Sequence, residues 1–365
     1  MDPRKLVAIN KKTDNVHVAP FPYWWAFQGE SFEPKTTGKK MVIFFGNDMA
    51  TFTKMGMSAD LYIKKCNECL NYIRSEFNGH RLCYKPHPAD KEELIKLNLT
   101  GFEVLDGGMN AELCLFQNRE HVKAAFSIGS AAAYSAYVMG LNSYVFYKCF
   151  AGIYDREFIR PLDEFYYDMP QSFFIENFNV KIIDNAPILN KNESLERFFK
   201  QKLDNKQGRV WLAAFTAEYV VILIALVKLI KSIMPTEKIG LVISRHHYWD
   251  TVSADYFRKY FDKIVIWPRI SYSLKPDKLW HAIRTAGQIK SFKIADNDIL
   301  VSIAQNSFVE NCLNSYHKKN FKIGLIADKD YNLFYNSQNS VYACNNNFRL
   351  IPFPILHLKS KPILV

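Results

Sequence analysis

The chain has few cysteines and no pattern that would pair them in disulfide bonds. Its 365 residues include seven cysteines, an odd number spread along the whole sequence. Small secreted domains that depend on disulfides carry closely spaced, paired cysteines. We therefore expect a reducing compartment. Cys66 and Cys69 form a Cys-x-x-Cys pair, but no second pair completes a zinc site, so no metal or other cofactor is predicted.

Long hydrophobic runs are also missing. Residues 210–227 are the one membrane candidate, but they contain Thr216 and Glu218 and are followed by Lys228. A spanning helix needs about 20 apolar residues, so the pattern favours a buried helix, with peripheral membrane contact as the alternative. Residues 1–15 lack the apolar segment of a signal peptide. These features predict a cytoplasmic protein, with peripheral binding at the inner face of the membrane left open.

Positive charge exceeds negative charge, giving a formal net charge of +11. This value is compatible with nucleic acid, anionic lipid or an acidic substrate as the partner. The sequence contains no RNA-binding motif of glycines and aromatics, no zinc finger and no clear basic stripe. Nucleic acid is therefore not a predicted partner, and nothing in the sequence indicates an oligomeric state.

Short apolar runs alternate with stretches of helical periodicity. Residues 41–45, 81–84 and 124–128 read as buried strands, and residues 59–77 carry apolar side chains at helical spacing. Such alternation is typical of βαβ units and a parallel sheet. The predicted fold class is α/β, with two Rossmann-like, doubly wound domains.

The length exceeds that of one ordinary hydrophobic core. We predict a first domain at residues 1–190, beginning with an irregular aromatic arm at residues 1–40. Residues 191–208 are polar and end in glycine, which is typical of a linker. A second α/β domain is predicted at residues 209–365, incomplete or permuted relative to a full Rossmann-like domain.

The sequence Arg81-Leu82-Cys83-Tyr84-Lys85-Pro86-His87-Pro88 joins a predicted strand to a cation, a histidine and two prolines. Proline biases the residue before it towards extended geometry, so Lys85 and His87 are both held extended where the strand ends. A histidine fixed in this way suits contact with a phosphate or a leaving oxygen. The alternative is a strand that is simply stopped by prolines.

Small residues lie where the predicted strand at residues 124–128 meets a helix, in Ser127-Ile128-Gly129-Ser130. A helix that begins there would present backbone N–H groups and serine hydroxyls to an anion. The alternative is an ordinary helix N-cap. Two more candidates are Gly46-Asn47, where glycine permits close approach of a ligand, and Glu112, which either recognises a base or favours a helix dipole.

Together, three segments resemble the donor half of bacterial sialyltransferases and polysialyltransferases, which are two-domain GT-B enzymes that use CMP-sialic acid. The segments are Tyr84-Lys85-Pro86-His87-Pro88, Asn110-Ala111-Glu112-Leu113-Cys114-Leu115 and Ser127-Ile128-Gly129-Ser130-Ala131. Their order and spacing agree as well as their residue types, over residues 41–147.

The resemblance implies a role for each segment. His87 would contact the phosphate and act as general acid on the departing group, and Ser127 and Ser130, with Gly129 between them, would hold the phosphate of CMP. Glu112 would recognise the cytosine. The donor site would also include Gly46, Asn47 and Lys85. No metal is implied, because CMP is already a good leaving group.

The second half resembles the acceptor half of the same enzymes, at residues 304–311 and 322–331. There a strand ends in an acidic pair plus glycine, and one acid is the general base. This chain has Ala327-Asp328-Lys329 instead, which leaves Asp328 as the candidate base, with Asp330 close by. His246 and His247 follow a predicted strand and are candidates for contact with the acceptor; a polar loop is the alternative.

The donor-like half comes first here, whereas the acceptor half comes first in the family. A circular permutation, a degenerate fusion or halves that pair with other subunits would each explain this order. The resemblance implies transfer of a sugar from a CMP-activated donor to a glycan acceptor in surface-polysaccharide synthesis. The alternative is a catalytically impaired relative that binds a nucleotide or a glycan.

Overall fold

The protein is described from a computed structural model, and the described residues are 5–10, 15–20, 22–30, 38–54, 56–88, 96–150, 156–214, 219–244, 257–268, 270, 276–303, 308–317 and 319–327. The chain divides into two compact units. The discontinuous unit combines residues 1–26 with residues 191–365, and the inserted unit is Phe27–Asn190. The boundary near residue 190 agrees with the predicted one. The predicted first domain differs from this division at residues 1–26, which group with the second half of the chain.

The N-terminal residues form a hairpin followed by a short helix. Strand β1 (Lys5–Asn10) pairs antiparallel with strand β2 (Asn15–Pro20), and helix α1 spans Tyr23–Phe27. The prediction of an irregular arm at residues 1–40 is therefore wrong for this stretch. Its strands are held by pairing with a distant part of the chain, which a local pattern does not reveal.

The inserted unit is built around a parallel sheet. Its main elements are β3 (Met41–Phe45), α2 (Met49–Lys54), α3 (Ala59–Glu76), β4 (Arg81–Lys85), β5 (Phe102–Val104), α4 (Ala111–Asn118), β6 (Val122–Ser127), α5 (Ala131–Val138), β7 (Ser143–Val145) and α6 (Arg156–Phe165). Among the described residues the strand order is β5-β4-β3-β6-β7, with every neighbouring pair parallel. Strand β3 is the first of these five strands in the sequence, and later strands are added on both sides of it. The order in which strands are added therefore reverses between β3 and β6, and such a switch point is where open α/β sheets bind ligands.

Helices cover both faces of this sheet. Every residue of β3 is buried, as expected for a parallel strand between two helical layers. On one face, the Phe126 ring packs edge-on against Phe77 at the end of α3, with centroids 5.5 Å apart. On the other face, the Ser143 hydroxyl donates a hydrogen bond to the carbonyl of Ala133 in α5, at 2.7 Å.

The discontinuous unit continues after residue 190. Its remaining elements are α7 (Glu193–Leu203), β8 (Val210–Ala214), α8 (Val220–Ile233), β9 (Ile239–Ser244), β10 (Lys263–Trp267), α9 (Pro276–Ser291), β11 (Ile299–Ile303), α10 (Phe308–Tyr316) and β12 (Phe321–Ala327). In the described part of the chain, the sheet order is β10-β9-β8-β11-β12-β1-β2. Strands β8 to β12 are parallel to their neighbours, and β1 joins β12 antiparallel. The predicted α/β class is thus confirmed, with a parallel sheet flanked by helices in each unit.

Two predictions about the start of this unit need correction. The predicted linker, residues 191–208, contains helix α7, which buries Leu195, Phe198, Phe199 and Leu203. The predicted buried helix at residues 210–227 is instead strand β8 followed by the start of α8, and α8 is buried on nearly all sides. No helix in the described ranges is long and apolar enough to cross a membrane.

Candidate functional site

The sheet of the inserted unit brings several predicted site residues to one edge. Phe45, the last residue of β3, pairs with Lys85 of β4 on one side and with Ser127 of β6 on the other. The strands are parallel, so the segments that follow them leave the sheet at the same edge. Gly46 and His87 therefore lie at the same edge as the start of the Ser127–Ser130 turn. They lie on one side of the point where the strand order reverses, and the turn lies on the other.

The Ser127–Ser130 turn is organised by its own hydroxyl groups. The Ser127 hydroxyl is fully buried and accepts a hydrogen bond from the Ser130 N–H at 2.9 Å. The Ser130 hydroxyl accepts from the Ala132 N–H at 3.2 Å and caps α5. Among the described residues, the backbone N–H groups of Gly129 and Ala131 have no acceptor. These N–H groups lie where the dipole of α5 favours an anion.

Gly46 lies in close contact with the loop that carries the histidine. Its N–H donates to the carbonyl of Lys85 at 2.9 Å. A Cβ atom at this position would lie 2.6 Å from the Tyr84 hydroxyl oxygen and 3.2 Å from the backbone nitrogen of His87. Glycine therefore lets the segment after β3 approach the segment after β4, and the His87 backbone is fixed beside it. His87 itself is partly exposed.

Lys85 lies beneath this edge, with a side chain only 3% exposed. Its ammonium donates to the carbonyls of Pro86 at 3.3 Å and Gly107 at 3.2 Å. Burial lowers the pKa of Lys85, and the nearby Cys114, Asp106 and Glu112 oppose that shift. The lysine thus ties the loop after β4 to the loop after β5. The sequence pattern did not show this role, because it gave no sign that the ammonium is buried.

Glu112 is buried in the first turn of α4, which is capped by the side chain of Asn110. Its Oε1 accepts a hydrogen bond from the Ser135 hydroxyl of α5 at 2.8 Å. The carboxylate therefore links the two helices that follow β5 and β6. This contact and the position in the first turn agree with the dipole alternative for Glu112.

Asn47 carries a buried acceptor at the same edge. The residue is 7% exposed, and its Oδ1 has no hydrogen-bond partner among the described residues. Its backbone carbonyl accepts from the Tyr62 hydroxyl at 3.1 Å, which fixes the residue against α3. An unpaired buried acceptor costs about 1–3 kcal/mol. A ligand that supplies a donor would remove this cost.

The sequence analysis missed a group of residues in α6 and in the segments that directly follow β7 and α6. Tyr147 donates to Asp163 Oδ1 at 2.8 Å, and Tyr166 donates to the carbonyl of Ser130 at 2.8 Å. Leu162 lies 3.1 Å from where a Cβ atom of Gly129 would be. Helix α6 is thus packed on the serine turn. The aromatic composition of residues 161–178 is typical of a loop, so the sequence alone does not indicate that α6 extends to Phe165.

Three predicted site residues, Asp328, His246 and His247, lie outside the described residues. Within the described ranges, no group of three or more histidine, cysteine, aspartate or glutamate side chains is arranged to hold a metal ion.

Comparisons with known proteins give no family for this chain. No protein-family profile matches the sequence, and a search of curated proteins finds no match. The fold and the residues at this edge of the inserted sheet therefore carry the functional argument by themselves.

Proposed function

We propose that the protein is an inverting glycosyltransferase of the GT-B class that transfers sialic acid, or a related sugar, from a CMP-activated donor to a glycan. The observation that carries the proposal is the convergence of Gly46, His87 and the Ser127–Ser130 turn at adjacent strand ends. An imidazole and a helix N-terminus at the point where the strand order reverses suit the charged group of a nucleotide. A parallel sheet flanked by helices in each unit is compatible with the GT-B class.

The serine turn is the proposed phosphate site. The N–H groups of Gly129 and Ala131 would donate to phosphate oxygens, and the Ser130 hydroxyl would donate its own proton while it caps α5. His87 would place an imidazole beside the same phosphate. These donors act where negative charge develops as CMP departs, and this is where preorganised donors lower a barrier most.

The proposed reaction is a single displacement. The oxygen of an acceptor hydroxyl attacks the anomeric carbon of the donor sugar, while the bond from that carbon to the phosphate oxygen breaks. The hydroxyl proton passes to a general base, for which Asp328 is the sequence candidate. His87 stabilises the departing phosphate and donates a proton to it, and CMP is released.

Two measurements test the proposal in order. Calorimetric titration with CMP tests binding, and CMP release from CMP-sialic acid with glycan acceptors tests transfer. His87→Ala is expected to reduce turnover about 100-fold, in the range of general acid catalysis. His80→Ala is a matched control, because His80 immediately precedes β4 at the opposite edge of the same sheet.

Each outcome has a distinct meaning. Equal turnover by the wild type and His87→Ala removes His87 from the mechanism. CMP binding without transfer to any acceptor favours the catalytically impaired alternative. The absence of CMP binding refutes the proposed nucleotide site.

A further inference from the structure

Helix α6, which packs on the serine turn, carries an acidic side chain. Its position is set by two contacts with that turn: the Tyr166 hydroxyl donates to the Ser130 carbonyl at 2.8 Å, and Leu162 packs on Gly129. Asp163 is the residue after Leu162 and is exposed. The fold therefore places Asp163 on the helix that packs on the predicted anion site.

Tyr147 holds this carboxylate in place. Its hydroxyl donates to Asp163 Oδ1 at 2.8 Å, and its ring stacks on Tyr166 with centroids 5.8 Å apart and an interplanar angle of 17°. Burial, and then the hydrogen bond to Asp163, raise the pKa of Tyr147. The tyrosine therefore stays neutral and continues to donate. Within the described part of the chain, the second carboxylate oxygen of Asp163 has no partner.

This edge of the sheet thus offers acceptors that lack donors. Besides the second oxygen of Asp163, the buried Oδ1 of Asn47 is unpaired at the end of β3, the strand next to β6. A carboxylate repels a phosphate, so Asp163 cannot serve the anion itself. It suits a neutral group with hydroxyl donors that is attached to the anion. In a nucleotide, the ribose is that group.

We propose that Asp163, positioned by Tyr147, binds the ribose hydroxyls of the nucleotide whose phosphate lies at the serine turn. The inference rests on the proposed nucleotide site and adds a sugar-recognising residue to it. Acidic side chains that accept from ribose hydroxyls are a general solution in α/β nucleotide sites. Asp163 and Tyr147 are ligand-binding and positioning residues, respectively, and take no part in the bond changes.

The test compares CMP with 2′,3′-dideoxy-CMP, which keeps the base and the phosphate but lacks both ribose hydroxyls. In calorimetric titrations, the wild type is expected to bind CMP about 10–100-fold more tightly, as for hydrogen bonds to a charged group. Asp163→Ala is expected to lose most of this preference while its affinity for the dideoxy nucleotide stays within about threefold of wild type. Tyr147→Phe, which keeps the ring, is expected to lose part of the preference.

Glu164→Gln is the matched control, because Glu164 is the exposed neighbour on the same helix and pairs with Arg160. It is expected to keep the wild-type preference. Equal binding of the two nucleotides by the wild type, or an unchanged preference in Asp163→Ala, overturns the role of Asp163 and leaves the nucleotide site standing. Failure of the wild type to bind either nucleotide overturns the proposed function itself.

Discussion

Gly46 lies so close to Tyr84 that a single added methyl group would disturb the edge of the inserted sheet where His87 lies. A Cβ atom at residue 46 would lie 2.6 Å from the Tyr84 hydroxyl oxygen, whereas ordinary contacts begin near 3.4 Å. Tyr84 has little freedom to move away, because it is buried and stacks on Phe44 with ring centroids 6.0 Å apart. Gly46→Ala must therefore displace either the Tyr84 ring or the backbone of the segment after β4 that contains His87.

We expect Gly46→Ala to destabilise the inserted unit by about 1–3 kcal/mol, the usual cost of overpacking. In Tyr84→Phe the clashing oxygen is gone, and the nearest remaining atoms lie at 3.2 Å from the new Cβ. Tyr84→Phe alone is expected to cost about 1 kcal/mol, because the hydroxyl loses its polar interactions. The double variant should be more stable than the two single effects predict, with a coupling free energy of about 1 kcal/mol or more.

Amide hydrogen exchange measures this effect locally, on peptides from β3 and β4. Tryptophan fluorescence supplies an internal control, because every tryptophan belongs to the discontinuous unit. These residues are Trp24, Trp25, Trp211, Trp249, Trp267 and Trp280. In Gly46→Ala, amide exchange is expected to become faster in the inserted unit. The urea midpoint measured by tryptophan fluorescence, which reports on the discontinuous unit, is expected to change less. Unchanged exchange in Gly46→Ala, or additive effects in the double variant, would refute the steric argument.

Three further predictions concern single positions. Ser130→Ala is expected to cost about 1 kcal/mol by removing the N-cap of α5, and to weaken CMP binding; calorimetry and urea unfolding check both. Gly287→Ala is expected to stabilise the protein by up to about 1 kcal/mol, because it lies in α9 and a Cβ there meets nothing within 4 Å; a lower urea midpoint would contradict this. Burial lowers the pKa of Lys85 in the folded protein below its usual 10.5. At pH values between the two pKa values, the lysine therefore holds its proton in the unfolded chain and loses it in the folded one. Wild-type stability should therefore rise with pH, relative to Lys85→Met, as pH approaches 10.5 from below; a difference in urea midpoints that does not change with pH would count against it.

The inserted unit shows how much of a parallel sheet can be predicted from local patterns. Residues 41–45, 81–84 and 124–128 are predicted as strands because they form short apolar runs, and the structure has strands at residues 41–45, 81–85 and 122–127. The βαβ alternation predicts parallel strands, and the segments that follow parallel strands leave the sheet at one common edge. The hairpin of β1 and β2 was missed, because its stability comes from pairing with β12 near the other end of the sequence.

The site could be predicted only in part, for a similar reason. A strand followed by prolines or small residues identified His87 and Ser130, whereas the environments of Lys85 and Glu112 depend on burial that no motif records. Asp163 was missed because it is aligned by Tyr147, a contact between two elements. Pro161 lies inside α6, and proline among aromatic residues is not a pattern that predicts a helix.

The pairing of β1 with β12 sets an order in which the protein is completed during translation. At about 5–20 residues per second, the roughly 310 residues between these strands take about 15–60 s to synthesise. In that interval the whole of Phe27–Asn190 has emerged and can fold, since in its described part its strands pair only with one another. The first hairpin meanwhile has an open edge, which is a site where a chaperone or a second chain can bind. Pairing of β1 with β12 is thus a late step. If β1 paired with another strand before β12 was synthesised, the nascent protein would be held in a misfolded state.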